Sequence, residues 1–201
     1  MDVHVIEVDV FEFARATDAL ASAFADDPVL VSVFSPANKA EVRAKLAKLC
    51  PDMFRLYETS GRVFIGEQDG VVAGAAIMHT PNYPQAPDAV RSTFQETFLR
   101  HNKPEQLPMW SEAMGAFGDI RDRAQYHLSV LGVHPYFQRQ GIGTAILDHI
   151  LEFVDAERQG IHLNTFKLEN LDYYQRFGFK VTEERLFLGT PGWHLKRGRR
   201  E

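Results

Sequence analysis

Leu131-Gly132-Val133-His134-Pro135-Tyr136-Phe137-Gln138-Arg139-Gln140-Gly141-Ile142-Gly143-Thr144 is the stretch on which the reading of this chain turns. An apolar run ends at Pro135, a short polar turn follows, and two glycines open a helical pattern. A helix N-terminus presents unpaired N–H groups and a partial positive charge. Glycine removes the Cβ atoms that would hold a phosphate away from those groups. Arg139, with Gln138 and Gln140, adds donors. The segment is therefore a phosphate cradle in principle, although an ordinary strand-to-helix turn carries the same glycines. A dinucleotide fingerprint asks for a third glycine where Ile146 stands. The Gly-Lys-Ser/Thr of a P-loop occurs nowhere in the chain.

Working outward, Tyr126 to Val133 reads as a strand and Gly141 to Glu157 as a helix, with Ile142, Ile146, Ile150 and Phe153 on one face and Gly160 as its C-cap. Ile161 to Phe166 is a strand, Asn170 to Phe177 a short helix closed by Gly178, Phe179 to Leu188 a strand and Gly192 to Lys196 a short last one. Upstream, Val3 to Val8 alternates as a strand, and Asp9 is placed to cap a helix carrying Val10, Phe13, Ala14, Thr17, Leu20, Ala21 and Phe24. Asp26-Asp27-Pro28 stops it. Ser35-Pro36 signals the next start, and Pro51 should kink or split that helix. Arg62–Glu67 and Val71–Met78 flank an Asp69-Gly70 hairpin turn. Thr80 to Asp88 holds three prolines and is a loop. Residues 88–119 show helical patches broken by Pro104, Pro108, Gly115 and Gly118, placed to form a lid facing a substrate. The order is mixed β and α around one central β–loop–α–β unit.

The composition narrows the class. The chain has 201 residues, a formal net charge of −5, 45% hydrophobic residues and one cysteine. That length suits a single domain with a core of its own. Cys50 alone cannot form an internal disulfide, which argues against a disulfide-built scaffold. An acidic balance argues against general nucleic-acid binding, and the cluster Lys196, Arg197, Arg199 and Arg200 reads as a frayed, solvated tail. No apolar run approaches the ~20 residues of a spanning helix, and the acidic, alternating start is unlike a secretory signal. The expectation is a cytoplasmic α/β domain of the α+β kind, monomer or homodimer, without membrane or nucleic-acid partners.

Gln138-x-x-Gly141-x-Gly143, after Val133-His134-Pro135, resembles the acyl-CoA pyrophosphate loop of the GNAT superfamily of N-acetyltransferases. Asn170-Leu171-Asp172-Tyr173-Tyr174-Gln175-Arg176-Phe177-Gly178-Phe179 resembles the Asn-x-x-(Phe/Tyr)-Tyr-x-x-x-Gly-Phe segment that ends that family's CoA-binding core. Leu163-Asn164-Thr165 fits the strand between them, so the match spans about residues 126–180. Ala23-Phe24-Ala25-Asp26-Asp27-Pro28 and Pro191-Gly192-Trp193-His194-Leu195 look like a subgroup containing puromycin-type acetyltransferases.

The resemblance implies a mixed, mostly antiparallel twisted sheet flanked by helices, forming one domain over residues 1–201. It implies acetyl-CoA as cosubstrate, no metal, and direct transfer to a primary amine of a small molecule or peptide. A non-catalytic acyl-CoA-binding or regulatory module would share the fold. By the same analogy Leu131, Gly132 and Val133 supply backbone contacts to the pantetheine arm, from a strand splayed at a bulge that Gly132 would mark. Arg139, Gln140, Gly141, Ile142, Gly143 and Thr144 wrap the pyrophosphate through backbone N–H groups, with Gln138 alongside. Asn170 touches the pantetheine or caps its helix. Tyr174, four residues before Gly178, gives a proton to the departing thiolate; a half-buried aromatic would look the same. His127 and Ser129 share a strand face with Leu131 and offer a base, as do Glu96 and Glu112 from the middle region. No histidine pair has metal-ligand spacing, and Cys50 reads as a buried apolar residue.

Overall fold

The computed structural model describes residues 3–9, 12–57 and 61–200. Among them seven strands form one sheet: β1 (His4–Val8), β2 (Gly61–Gln68), β3 (Val71–His79), β4 (Tyr126–Val133), β5 (Ile161–Thr165), β6 (Lys180–Phe187) and β7 (Thr190–Arg197). Their spatial order is β1-β2-β3-β4-β5-β7-β6. Only β4 and β5 run parallel; every other neighbouring pair is antiparallel. This is the expected mixed, mostly antiparallel sheet. The β2–β3 turn places Asp69 and Gly70 at φ 52° and 77°, the double left-handed conformation whose twist matches the strands it joins.

Among the described residues seven α-helices flank the sheet: α1 (Thr17–Ala23), α2 (Pro28–Phe34), α3 (Lys39–Tyr57), α4 (Asp88–His101), α5 (Gln106–Met114), α6 (Ile142–Ala156) and α7 (Glu169–Arg176). Strand alternation sends Phe64, Ala76, Met78, Leu128 and Leu163 to one face, where α6 buries Ile142, Ile146, Leu147, Ile150, Leu151 and Val154. At roughly 1.5–3 kcal/mol per buried side chain, that stripe fixes the start of α6 beside the end of β4. Val63, Ile65, Ala75 and Ile77 face the other way, against Leu20 of α1 and Cys50 and Phe54 of α3. Beyond them α2, α3, α4 and α5 close on Phe34, Phe94, Phe98 and Trp110, with ring centroids 5.6 to 6.3 Å apart.

Several local signals resolve differently from their sequence reading. Asp27 does stop the α1 segment, but its carboxylate also accepts hydrogen bonds from the Val29 and Leu30 N–H groups at 3.1 and 3.2 Å. With Pro28 at the first helical position it starts α2, which the sequence reading missed. Ser35 ends α2 instead of starting α3. The true start is a reciprocal cap in which Asn38 accepts from the Glu41 N–H at 3.1 Å and Glu41 accepts from the Asn38 N–H at 2.8 Å. α3 runs unbroken through Pro51. Buried Leu46, Leu49, Cys50 and Phe54 on both sides of it outweigh the ~3 kcal/mol cost of an interior proline.

Residues 88–119 hold α4 and α5. Pro108 sits in the first turn of α5, where its missing N–H had no partner to lose. Asp9 accepts from the Glu12 N–H at 3.1 Å and caps a 3-10 turn, Glu12–Ala16, ahead of α1; Val10 lies outside the described residues. α6 ends at Ala156, and Arg158, at φ 53°, takes the left-handed position expected of Gly160. The basic cluster is not a frayed tail throughout. Arg197 is buried, holds Asp155 through two bonds of 2.6 and 2.8 Å and donates to the Phe177 carbonyl at 3.0 Å. Arg199 and Arg200 are exposed. Among the described residues no helix is long and apolar enough to cross a membrane.

Candidate active site

β4 and β5 pair only over Tyr126↔Ile161, His127↔His162 and Leu128↔Leu163, then separate. On its other edge β4 stays paired with β3, where Ile77 faces Val130 and Met78 faces Leu128. Ser129 is thus the extra residue of a β-bulge, the device that bends a strand away from a neighbour. The bulge was expected at Gly132, which instead pairs regularly with Ala75. Gly132 is glycine for another reason: a Cβ there would lie 2.9 Å from Leu20 Cδ2 and Phe24 Cε2 and 3.0 Å from the Ala23 Cβ. Helix α1 rests directly on it. The gap between the strands opens into a cavity of about 840 Å³, within the range of small-molecule and cofactor sites.

One end of the cavity is the loop into α6. Leu131, Gly132, Val133, Gln138, Arg139, Gly141, Gly143 and Thr144 line it. Gly141 takes φ +90° as the residue before α6, a conformation that costs other residues roughly 1–2 kcal/mol. That turn leaves the first N–H groups of α6 free of helical partners. Gln138 donates to the Val133 carbonyl at 3.1 Å and braces the strand end. Two predicted residues turn away. Ile142 is buried in the α6 core, so only its backbone can serve the loop. The Gln140 side chain donates to the Tyr136 carbonyl at 2.9 Å and accepts from Gln68 at 3.3 Å, outside the cavity lining.

Midway stand Asn170, Tyr173 and Tyr174 of α7. Asn170 does not cap α7, whose cap position is Leu168; its amide donates to Thr165 Oγ1 at 3.0 Å and ties α7 to the end of β5. Tyr174 is buried, its ring edge-on to Tyr173 and Phe179. Burial pushes its phenol above the ordinary range, so the hydroxyl keeps its proton.

The far end is formed by α2, α3, α5 and the sheet face opposite α6. Asp27, Leu30, Leu46, Met53, Trp110 and Met114 border it, with Tyr57, Arg121, His127 and Asn164. His127 belongs to a row of four. His79, His127, His162 and His194 come from the adjacent strands β3, β4, β5 and β7, with successive ring centroids 5.7, 4.7 and 5.3 Å apart. All four are buried. Burial, with the positive charge of Arg121, holds His127 well below the imidazole range. Burial likewise lowers His162 to about 3 and His194 to about 4. His127 therefore borders the cavity as a neutral ring. Ser129 also lines the cavity and bonds the half-buried Tyr57 phenol. Glu96 and Glu112 are exposed on α4 and α5 and do not line it.

Residues 109–181 match the acetyltransferase (GNAT) domain family. Over that stretch the chain is similar to GNAT domains. Solved structures share the whole fold at low identity. An acetyltransferase from Corynebacterium glutamicum superposes with TM-score 0.70 at 18% identity, over 100% of this chain and 98% of that one. The polyamine N-acetyltransferase of Drosophila melanogaster, which forms N-acetylagmatine, gives 0.61 at 14% identity over 97% and 98%. An N-acetyltransferase from Thermoplasma acidophilum, solved with coenzyme A, gives 0.60 at 9% identity over 98% and 99%.

The structure brings to one cavity His127, Leu131, Gly132, Val133, Gln138, Arg139, Gly141, Gly143, Thr144, Asn170 and Tyr174. The sequence reading did not find Tyr57, Trp110 or Arg121, and it took Asp27 only as punctuation. Among the described residues no group of three or more His, Cys, Asp or Glu is placed to hold a metal. Cys50 borders the cavity but is 2% exposed, with burial pushing its thiol up to about 12.

Proposed function

We propose that this chain is an acetyl-CoA-dependent N-acetyltransferase that moves the acetyl group directly to a primary amine, with residues 1–201 acting as one domain. The observation that carries the reading is the single cavity running from the N-terminus of α6, past the Tyr174 ring, to an opposite chamber. The residues fit the cosubstrate. The left-handed Gly141 frees the first N–H groups of α6 for a pyrophosphate. β4 beyond Leu128 has no strand partner on its β5 side, which leaves backbone groups for an amide-bearing arm. Acetyl-CoA supplies the acetyl group already activated as a thioester.

The protein's own groups do the rest. Backbone N–H groups of β4 beyond the bulge can hold developing negative charge on a carbonyl oxygen. Tyr174, protonated at neutral pH, can give its proton to a leaving thiolate. Cys50 does not offer a covalent relay, because its thiol is held in its protonated form. Acetyl-CoA should raise the melting temperature while NAD and ATP do not, and thiol release should depend on added amine. Tight CoA binding without amine-dependent thiol release would overturn the transferase reading in favour of a binding module.

A further inference from the structure

The transferase reading leaves open where the amine's proton goes and what kind of amine is held. We propose that Asp27 receives the acceptor's ammonium group and takes its proton, and that the acceptor is a monoamine carried on an apolar body. This rests on the transferase reading above.

Asp27 stands at the junction of α1 and α2 and lines the cavity, yet is only 7% exposed. Its Oδ1 accepts both N–H groups that it caps. Its Oδ2 accepts no hydrogen bond from any described residue. Among the described residues it is the only buried carboxylate on the lining; Glu169 lies at the exposed start of α7. The charged groups facing Asp27 are Lys167, from the turn after β5, and Asp26 beside it. Lys167 is already paired with Asp26 at 2.5 Å, and Lys39 of α3 holds Asp26 at 2.7 Å. Asp27 is thus left without a counter-ion of its own. Burial raises its carboxyl to about 6 against those opposing influences, the value wanted in a base that works near neutral pH.

The chamber around it specifies the rest of the acceptor. Leu30, Leu46, Met53, Trp110, Met114 and Phe166 contribute apolar surface. The fixed positive charges on the lining, Arg121, Arg139, Lys167 and Arg176, oppose a second cationic group. A polyamine would need a second buried carboxylate, which the lining lacks among the described residues, Glu169 being exposed. In the step, one ammonium N–H bond breaks and its proton passes to Asp27 Oδ2. The freed nitrogen lone pair forms the C–N bond to the acetyl carbon. The C–S bond breaks with its electrons on sulfur, and the nitrogen's surplus proton reaches sulfur through the Tyr174 hydroxyl. Asp27 then releases its proton to solvent.

The test is Asp27→Asn, because asparagine caps a helix as well as aspartate does but cannot take the proton. Wild type and variant would be assayed for thiol release with 2-phenylethylamine, hexylamine, agmatine, spermidine and a peptide with a free N-terminus. Acetyl-CoA affinity would be measured in parallel by calorimetry. The two apolar monoamines should be preferred, and wild-type kcat/KM should rise with pH through about 6. In Asp27→Asn that limb should vanish and kcat/KM should fall by about 100-fold or more, with acetyl-CoA affinity unchanged. A variant as active as wild type, or a preference for agmatine or spermidine, would overturn this proposal alone. Bound acetyl-CoA with transfer to no amine would overturn the transferase reading as well.

Discussion

Tyr174 shows how much one side chain's surroundings decide. A phenol in water is a poor acid at neutral pH, and burial makes this one poorer still. What burial adds is certainty of protonation: the hydroxyl holds its proton over the whole working range and gives it up only to a stronger base, such as a nascent thiolate. Tyr174→Phe should therefore lower kcat by about 100-fold or more and leave acetyl-CoA affinity as it is, read by steady-state thiol release and calorimetry. Unchanged kcat at every pH would remove the assignment. The place of Tyr174 on the cavity was legible because its distance from Gly178 is local. Asp27 was not, because Asp-Asp-Pro carries a complete local explanation as helix punctuation. Its second role depends on α5 and the β5–α7 turn, which are remote in sequence.

Among the elements, α1 and β4 are the pair on which the cavity depends. Their contact is made by the absence of a side chain at Gly132, under Leu20, Ala23 and Phe24. Gly132→Val should push α1 off the strand, costing roughly 1–3 kcal/mol as overpacking and weakening acetyl-CoA binding. Urea unfolding and calorimetry would show both; full stability with full affinity would mean that α1 is not seated as described. A glycine within a strand pattern is ambiguous between a bulge and a close approach, and only the sheet register separates the two. β4, α6 and α7 are legible because hydrophobic period and glycines agree there, although neither Gly160 nor Asn170 caps its helix. Residues 88–119 were obscure because Pro104 and Pro108, which read as breakers, in fact sit between helices and in a first turn.

At the scale of the whole molecule, the row of histidines makes stability depend on pH. The unfolded chain protonates its imidazoles near 6.5, whereas the folded protein keeps His127, His162 and His194 neutral to lower pH. Folding therefore binds fewer protons, so stability is complete above about pH 6.5 and falls as pH drops toward the folded values. At about pH 5 His162 alone should remove about 2 kcal/mol. Asp27 works in the opposite sense, since its raised value favours protonation on folding, but it is one group against three. Urea midpoints should be lower at pH 5 than at pH 7, and His162→Asn should narrow the difference; equal midpoints for wild type would contradict this. The individual histidines were visible in the sequence. Their alignment was not, because it requires β7 to lie beside β5.

That placement of β7 has a consequence for how the chain is made. β7 is last in chain order but interior in space, hydrogen-bonded on one side to β5 and on the other to β6. As the polypeptide emerges from the ribosome, β1 through β5 can assemble while one flank of β5 is still open. Such an unpaired flank is a template for wrong partners. It closes only when Trp193 and Leu195 arrive opposite Thr165 and Leu163. The nascent protein thus stays vulnerable to misassociation until β7 has emerged and entered the sheet.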